Sequence, residues 1–264
     1  MSFKSQGLHA RNFKTLRTIS ALMLREMSTT YGRSPGGYLW AVLEPVGGLA
    51  VMTVAFSLAI RSPALGNNFA LFYATGYLPF MMYLDVSNKI SGSLQYSKAL
   101  LFYPSVTYLD SILARFFLNS LTHFFVFYII MYGILTFFDS PNILDFGAIF
   151  NALGMSLALA FGVGVINCFL LTRFPLWERA WKIATRPLFI ISCIFFLLES
   201  IPQPFRDYLA FNPLVHVVGE MRRGFYATYD ATWVSPIYVY GISATLTLFG
   251  LIFLARYHRE LLNR

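Results

Sequence analysis

Residues 147–172 read GAIFNALGMSLALAFGVGVINCFLLT, and this run contains no Asp, Glu, Lys or Arg. A helix crosses the hydrocarbon core of a bilayer, about 30 Å thick, with about 20 mostly apolar residues, because each residue rises about 1.5 Å. The run is therefore long enough to cross a membrane as one helix. Backbone groups inside a bilayer find no water to bond, so helix is the only plausible state for this run.

Five further apolar runs lie along the chain, at 39–60, 69–86, 112–138, 183–198 and 236–255. The run at 183–198 is short for a membrane span. Hydrophobic residues make up 57% of the 264 residues, charged residues 12%, and the mean hydropathy is +0.59. Soluble domains carry roughly 25% charged residues. The sequence therefore predicts an all-α polytopic membrane protein with six transmembrane helices, an N-terminal amphipathic interface helix and a re-entrant external region before the last helix.

The distribution of Lys and Arg predicts the orientation. A cytoplasmic N-terminus places 16 of the 20 Lys and Arg on the cytoplasmic side, which predicts both termini inside the cell. The net charge of +8 is then a topological signal rather than a sign of nucleic-acid binding. More than 35 residues, several of them charged, precede the run at 39–60, so we expect that run to remain as an anchor rather than to be cleaved.

The N-terminal segment, residues 1–37, is predicted to contain an amphipathic helix and a turn on the cytoplasmic side. Phe13, Leu16, Ser20, Met23 and Met27 recur at helical spacing, and the basic residues lie on the opposing side, namely Arg11, Lys14 and Arg25. Such a helix lies in the membrane interface. It serves as a surface anchor, or it also docks a cytoplasmic partner; both interpretations remain open.

The remaining chain divides into a transmembrane domain at 38–256 and a cytoplasmic tail at 257–264. Within the domain, the cytoplasmic segment 87–111 is longer than a turn requires. It is either an ordinary connector or a short helix along the membrane that receives force from a cytoplasmic motor. The external segment 199–235 holds an apolar piece at 208–219 that is too short to cross, which predicts a re-entrant or interfacial helix. Broken backbone at membrane depth needs protein or a water-filled cavity around it.

The sequence lacks the common motifs for nucleotide binding and metal binding. It holds no G-x-x-x-x-G-K-[ST] loop and no G-x-G-x-x-G fingerprint, so any ATP that drives transport is expected to bind another subunit. The four histidines are scattered and no H-E-x-x-H or C-x-x-C occurs, which argues against a metal site. The two cysteines fall in different predicted spans and are expected to act as small apolar residues.

Polar and aromatic residues inside the apolar runs allow either a structural or a functional role. Glu44, Asp85 and His123 lie within predicted spans, where ionisable groups raise a functional hypothesis. Alternatively, Glu44 and Asp85 reach the interface or pair with basic neighbours such as Arg33 or Lys89. Two tyrosine pairs, spaced four apart, either pack between helices or face a wet lumen where rings and hydroxyls contact sugars, namely Tyr73 with Tyr77 and Tyr128 with Tyr132. A small-residue stripe most simply permits close helix contact, at Gly154, Ala158 and Gly162.

Four segments together resemble a known family. GYLWAVLEP at 37–45 is similar to the entry motif of the membrane subunits of ABC exporters for surface polysaccharides, and LFYPSVTYLDSILARFFLN at 101–119 is similar to their coupling segment. RPLFIISCIFFLLESIP at 186–202 and NPLVHVVGEMRRGF at 212–225 resemble their fifth span and external re-entrant region. The resemblance runs nearly end to end and is strongest to the capsular polysaccharide export permeases.

The resemblance implies a homodimer in the bacterial inner membrane, bound to two copies of an ABC ATPase that holds ATP and Mg²⁺. It implies export of a lipid-linked capsular polysaccharide, continued by periplasmic and outer-membrane capsule export proteins. This chain would hold no cofactor and catalyse no bond chemistry. ATPase coupling would fall to Arg25, Glu26, Tyr96, Lys98, Tyr103, Pro104 and Asp110, and the motif at the first span would comprise Tyr38, Trp40, Glu44 and Pro45.

The expected substrate path combines the four tyrosines with motif positions outside the membrane, namely Asn212, His216, Glu220, Arg222 and Arg223. The external arginine pair is expected to hold an anionic lipid head group or an acidic sugar.

Two rival functions share parts of this pattern. An ABC exporter for O-antigen, teichoic acid or a drug would have the same architecture. A membrane enzyme acting on lipid-linked sugar would use acidic and basic groups of the external segment, where Glu199, Asp207, His216 and Glu220 are available.

Overall fold

The structure is a computed structural model that describes residues 14–30, 36–103, 106–138 and 143–262. Those residues fold into helices, and no strand occurs among them. The long helices are α1 (Lys14–Thr30), α2 (Gly37–Ala59), α3 (Phe69–Ser91), α5 (Tyr108–Phe137), α6 (Phe146–Arg173) and α11 (Pro236–Leu262). Shorter ones are α4 (Ser93–Ser97), α7 (Pro175–Thr185), α8 (Leu188–Ile191), α9 (Phe205–Ala210) and α10 (Pro213–Phe225), with a 3₁₀ turn at Leu198–Ser200.

Five of the six predicted runs form continuous helices, which are α2, α3, α5, α6 and α11. Four of these are long and apolar enough to cross a membrane, as judged over the described part of the chain: α2, α5, α6 and α11 up to Tyr257. The helix α3 has 23 residues, the same length as α2, but it carries Asp85, Lys89 and three tyrosines. It lies at the centre of the molecule, where most of its side chains are buried.

The prediction of one continuous helix over 183–198 is wrong. The helix α7 ends at Thr185, α8 covers only Leu188–Ile191, and the chain then continues without helix to the 3₁₀ turn. Pro187 cannot donate a backbone hydrogen bond, and Cys193 has a φ of 59°, in the left-handed region where helices do not continue. The broken backbone is covered by protein, because Ser192, Cys193 and Ile194 are all buried.

The helices α6 and α3 form the centre of the packing. The helix α6 contacts α3 on one side, α11 on another and α10 at its outer part, so its buried residues extend along its whole length. The helix α10 has 13 residues, too few to cross a bilayer, and packs against α6 and α3. By contrast α2 lies at the edge, with only Pro45 and Leu49 buried.

The predicted small-residue stripe on α6 does permit close helix contact. A Cβ added to Gly162 would lie 2.6 Å from the carbonyl oxygen of Ser243 in α11, and one added to Gly154 would lie 2.9 Å from the hydroxyl of Tyr240. Backbone meets backbone at Gly162, so no side chain can move aside there.

We therefore expect Gly162→Ala to push α11 away from α6 and to lower stability by about 1–3 kcal/mol, the usual effect of overpacking. The matched control is Gly133→Ala in α5, where an added Cβ meets no atom within 4 Å. Thermal unfolding of the detergent-solubilised chain measures both variants. Equal unfolding midpoints for the two would contradict the close contact at Gly162.

The helix α1 places one acidic residue against the body of the protein. Leu16 and Ser20, on the apolar side predicted to lie in the membrane interface, are exposed within the chain, whereas Glu26 is buried and Arg25 is half-buried. Phe13 and Arg11 lie outside the described residues. The helix turns Glu26 inward because α5 supplies a buried counter-charge, Arg115, that local periodicity cannot reveal.

Candidate functional site

A buried ion pair joins the N-terminal helix to the body of the protein. Arg115 Nε lies 3.2 Å from both carboxylate oxygens of Glu26, and its Nη1 donates to the carbonyl of Lys89 at 2.7 Å. Both side chains are almost fully shielded, with 3% of Glu26 and 8% of Arg115 exposed. A buried charge without its partner is costly, so each of these residues depends strongly on the other.

Tyr96 completes this group, which we call the coupling cluster (Arg25, Glu26, Tyr96 and Arg115). The guanidinium carbon of Arg115 lies 4.0 Å from the centre of the Tyr96 ring, and that of Arg25 lies 5.5 Å from it. The Tyr96 hydroxyl also hydrogen-bonds Thr29 of α1. The cluster therefore links α1, α4, α5 and the last turn of α3 through charge and cation–π contacts.

Three of the residues predicted to couple to an ATPase meet in this cluster, namely Arg25, Glu26 and Tyr96. Lys98 is half-buried beyond it, Tyr103 is exposed, and Pro104 lies outside the described residues. Asp110 has a local role at the start of α5: its Oδ2 accepts hydrogen bonds from the backbone nitrogen and hydroxyl of Thr107, at 2.9 and 2.8 Å. This is a capping box, which the T-x-x-D spacing at 107–110 could have revealed.

The two tyrosine pairs lie in different surroundings. Tyr73 and Tyr77 are buried in the core, where their rings contact Phe195 and Phe189 respectively. Tyr128 and Tyr132 are 65% and 60% exposed, and their rings stack with centres 6.0 Å apart. Within one chain, only the α5 pair is open to a substrate or to another molecule.

Asn212 and His216 hold the external region together. Asn212 caps α10, since its Oδ1 accepts from the backbone nitrogen of Leu214 and its Nδ2 donates to the carbonyl of Ile191. His216 is buried, with Nε2 2.9 Å from the carbonyl of Ala210 and with Nδ1 accepting from the backbone of Ser235. Burial lowers the pKa of His216, so the neutral ring with its proton on Nε2 fits both contacts.

Arg222 is not accessible to an external ligand, which corrects the expectation of an exposed arginine pair. Only 1% of the residue is exposed, and its guanidinium lies 4.3 Å from the centre of the Phe72 ring. Nη2 donates to the carbonyl of Ile194 at 2.8 Å and Nη1 to that of Phe196 at 2.9 Å. Burial lowers the pKa of Arg222 to about 10, which leaves it protonated at neutral pH.

Arg223 is the accessible member of the pair. Its side chain is 44% exposed and donates to Glu220 Oε1 at 2.8 Å. Glu220 is itself 1% exposed, and the same oxygen accepts from Asn151 Nδ2 at 2.8 Å. Glu199, at the other end of the external region, accepts from Tyr229 and from Trp233 Nε1. These carboxylates are thus engaged by donors of the chain itself.

The first-span motif lies on the weakly packed helix α2. Pro45 is buried, whereas Tyr38, Trp40 and Glu44 are exposed. Trp40, Glu44 and Pro45 also line a cleft between α2, α3 and α5.

Comparison with known proteins decides the family. No family model matches the chain. The polysialic acid transport protein KpsM of Escherichia coli is 32% identical over 232 residues, which cover 88% of this chain and 90% of KpsM. The capsule polysaccharide export inner-membrane protein CtrC of Neisseria meningitidis is 29% identical over 245 residues, 92% of each chain. The chain belongs to the family of capsule polysaccharide export inner-membrane proteins. BexB of Haemophilus influenzae, another capsule polysaccharide export inner-membrane protein, is 27% identical over 249 residues, 92% of each chain.

Membership of the capsule polysaccharide export family confirms the resemblance drawn from the sequence motifs. The relatives are named as transport or export proteins, which agrees with a transport subunit rather than an enzyme. Their names also place them in the inner membrane, in agreement with the apolar helices of this chain.

Arg115 was not singled out from the sequence, and Arg222 was placed at the surface. Arg115 stood out only as a charge at the inner end of an apolar run, and its partner Glu26 lies 89 positions earlier. Arg222 was expected at the surface because it lies in a polar external segment. The signal available for Arg222 was the apolar surroundings within α10, where Val215, Val218 and Met221 share its burial.

Proposed function

We propose that this chain is the transmembrane subunit of an ATP-driven exporter that moves lipid-linked capsular polysaccharide across the bacterial inner membrane. ATP and Mg²⁺ bind a separate ABC ATPase subunit. The observation that carries the proposal is the identity of 32% to KpsM over 88% of the chain.

The coupling cluster supports a route for force from the ATPase. A push on α1 or α4 reaches α5 through Glu26, Arg115 and Tyr96, since these side chains join the three helices. The outer part of α5 carries Tyr128 and Tyr132. Motion that begins at the cytoplasmic cluster is therefore delivered to the helix with the exposed aromatic pair.

A homodimer is the second element of the proposal. The helix α2 buries only Pro45 and Leu49 within one chain, and α5 leaves Phe125, Tyr128 and Tyr132 exposed. In the functional complex two copies and two ATPases assemble so that polar and aromatic parts of these surfaces line the polymer path. Lipid covers the rest.

The topology of the proposal has both termini in the cytoplasm, with six crossings of which the fifth is broken. The interrupted segment from α8 to the 3₁₀ turn and the helix α10 form the external re-entrant region. Arg222 supports this arrangement because it supplies donors to the carbonyls that the broken helix leaves free. Arg223 remains the candidate for an anionic head group outside, and periplasmic and outer-membrane capsule export proteins take over the polymer.

Deletion of the gene in a bacterium that carries it tests the proposed cargo. We expect loss of surface capsule and accumulation of lipid-linked capsule polysaccharide inside the cell, with recovery on return of the intact gene. Normal O-antigen on the same cells serves as the control. Intact capsule with missing O-antigen would reassign the cargo, and intact surfaces of both kinds would contradict an export role.

A further inference from the structure

A polar cleft of about 410 Å³ lies between α2, α3 and α5. Its volume falls in the range of sites for small molecules, roughly 300–1,000 Å³. Each of the three helices contributes polar side chains to the same space: Trp40 and Glu44 from α2, Asp85 and Lys89 from α3, and Asn119 and His123 from α5. Ionisable residues in helices of this kind are costly and mark functional sites.

The polar groups of this cleft are not closed off by one another. His123 Nε2 lies 3.4 Å from Asp85 Oδ2, but 42% of the Asp85 side chain remains exposed. Glu44 is exposed, and Trp40, one turn earlier on α2, is 61% exposed. A carboxylate and an indole ring therefore stand open beside the paired Asp85.

Beyond Glu44 along α2, the helices α2 and α3 come into close contact. A Cβ on Gly48 would lie 2.5 Å from the Tyr77 hydroxyl, so the tyrosine occupies the space that the glycine leaves. Gly48 is one turn beyond Glu44 along α2.

The charges select the class of ligand. Glu44 and Asp85 against Lys89 leave one net negative charge when His123 is neutral, which disfavours phosphate and acidic sugars. A compact metal cation needs converging carboxylates, whereas Asp85 already faces His123. A neutral sugar ring matches these side chains, because the carboxylates accept from its hydroxyls, Lys89 offers donors, and the Trp40 face packs on its C–H surface.

We propose that this α2–α3–α5 cleft binds neutral, hydroxyl-bearing sugar residues. That these residues belong to the polymer being exported rests on the function proposed above. On that function the cleft is a recognition site near the cytoplasmic entrance, and it selects against strings of acidic sugars at this point of the path.

The test measures protection of a thiol in the cleft by oligosaccharides. Cys168 and Cys193 are buried, so the purified full chain gives a low background with maleimide dyes. Thr122→Cys places a thiol in the cleft lining, and Thr245→Cys places one at an exposed position of α11, a helix that does not line the cleft. We expect maltopentaose, a neutral probe, to slow labelling at position 122 and not at position 245, and an α2,8-linked sialic acid pentamer to give little protection at either.

A second variant separates ring packing from general crowding. Trp40→Leu in the Thr122→Cys background keeps all charges and alters an exposed residue, so the fold is retained and protection by maltopentaose should be lost. Equal protection at 122 and 245, no protection at 122, or protection that survives Trp40→Leu would overturn the sugar site. Stronger protection by the sialic acid pentamer would overturn the charge argument.

This assay uses neither ATP nor a partner subunit, so it is independent of the export assay. If deletion of the gene abolishes surface capsule but maltopentaose gives no protection at position 122, the export function stands and the sugar site in the cleft is rejected. If maltopentaose protects position 122 but deletion of the gene leaves surface capsule intact, the sugar site stands and the export function is rejected.

Discussion

Replacement of Arg222 with methionine is expected to destabilise this protein more than any other single substitution in the external region. The guanidinium holds the carbonyls of Ile194 and Phe196, which no helical hydrogen bond serves after the break at Cys193. Each buried carbonyl left without a donor costs about 1–3 kcal/mol, and the contact with Phe72 is lost as well. We therefore expect a loss of several kcal/mol and release of the segment 192–202.

Two variants make this prediction specific. Arg222→Lys keeps the charge but cannot reproduce the planar fork that reaches both carbonyls, so it should remain clearly destabilised. Arg223→Met removes the neighbouring, 44% exposed arginine and should change stability by about 1 kcal/mol or less. Thermal unfolding in detergent measures stability, and protease sensitivity of residues 192–202 reports local release. A stable Arg222→Met protein in which residues 192–202 remain protected would contradict the proposed role of Arg222 in holding this segment.

Charge reversal at Arg115 is expected to uncouple ATP hydrolysis from export. Arg115→Glu brings two carboxylates together in a site where Glu26 is 3% exposed, so α1 should leave α5. The ATPase partner then turns over ATP without delivering motion to α5. Polymer export should fall to background while ATP hydrolysis by the purified complex persists.

The swapped pair provides the control for this experiment. Glu26→Arg combined with Arg115→Glu restores opposite charges at the same two positions and should recover part of the export. Arg17→Glu reverses an exposed charge on the same helix α1 and should leave export near normal. Normal export by the Arg115→Glu variant would remove the coupling role of the cluster. Cross-linking of α1 to α5 measures whether the swapped pair brings the two helices back together. If α1 stays detached in the double variant, its failure to export agrees with the coupling role, provided that Arg17→Glu exports like the wild type.

Local patterns predicted the helices of this protein well. Runs of apolar residues at 39–60, 69–86, 112–138, 147–172 and 236–255 each lie in one helix, because such runs form helix wherever backbone groups must satisfy one another. The stripe at Gly154 and Gly162 was equally readable, since small residues at a spacing of four share one helix face.

Residues that depend on distant partners could not be predicted in the same way. Glu26 is buried because Arg115 meets it from another helix, so periodicity within α1 gave no sign of the side that packs against α5. The segment 183–198 has the apolar composition of a span. Pro187 was a local signal for its break, but the course of the chain after the break is held by donors from Arg222 in α10. The cleft needs side chains from three helices at once, and Asn119 and Lys89 carried no local signal that they would join Glu44 there.

Transport by purified components in sealed vesicles tests the central claim most directly. Vesicles would contain this chain with its ABC ATPase, lipid-linked capsule polysaccharide on the outer leaflet, and ATP outside. The account predicts that polymer enters the lumen only when the ATPase and hydrolysable ATP are both present, and not when an ion gradient replaces them. Entry of polymer into vesicles that hold this chain alone, driven by an ion gradient, would contradict the account.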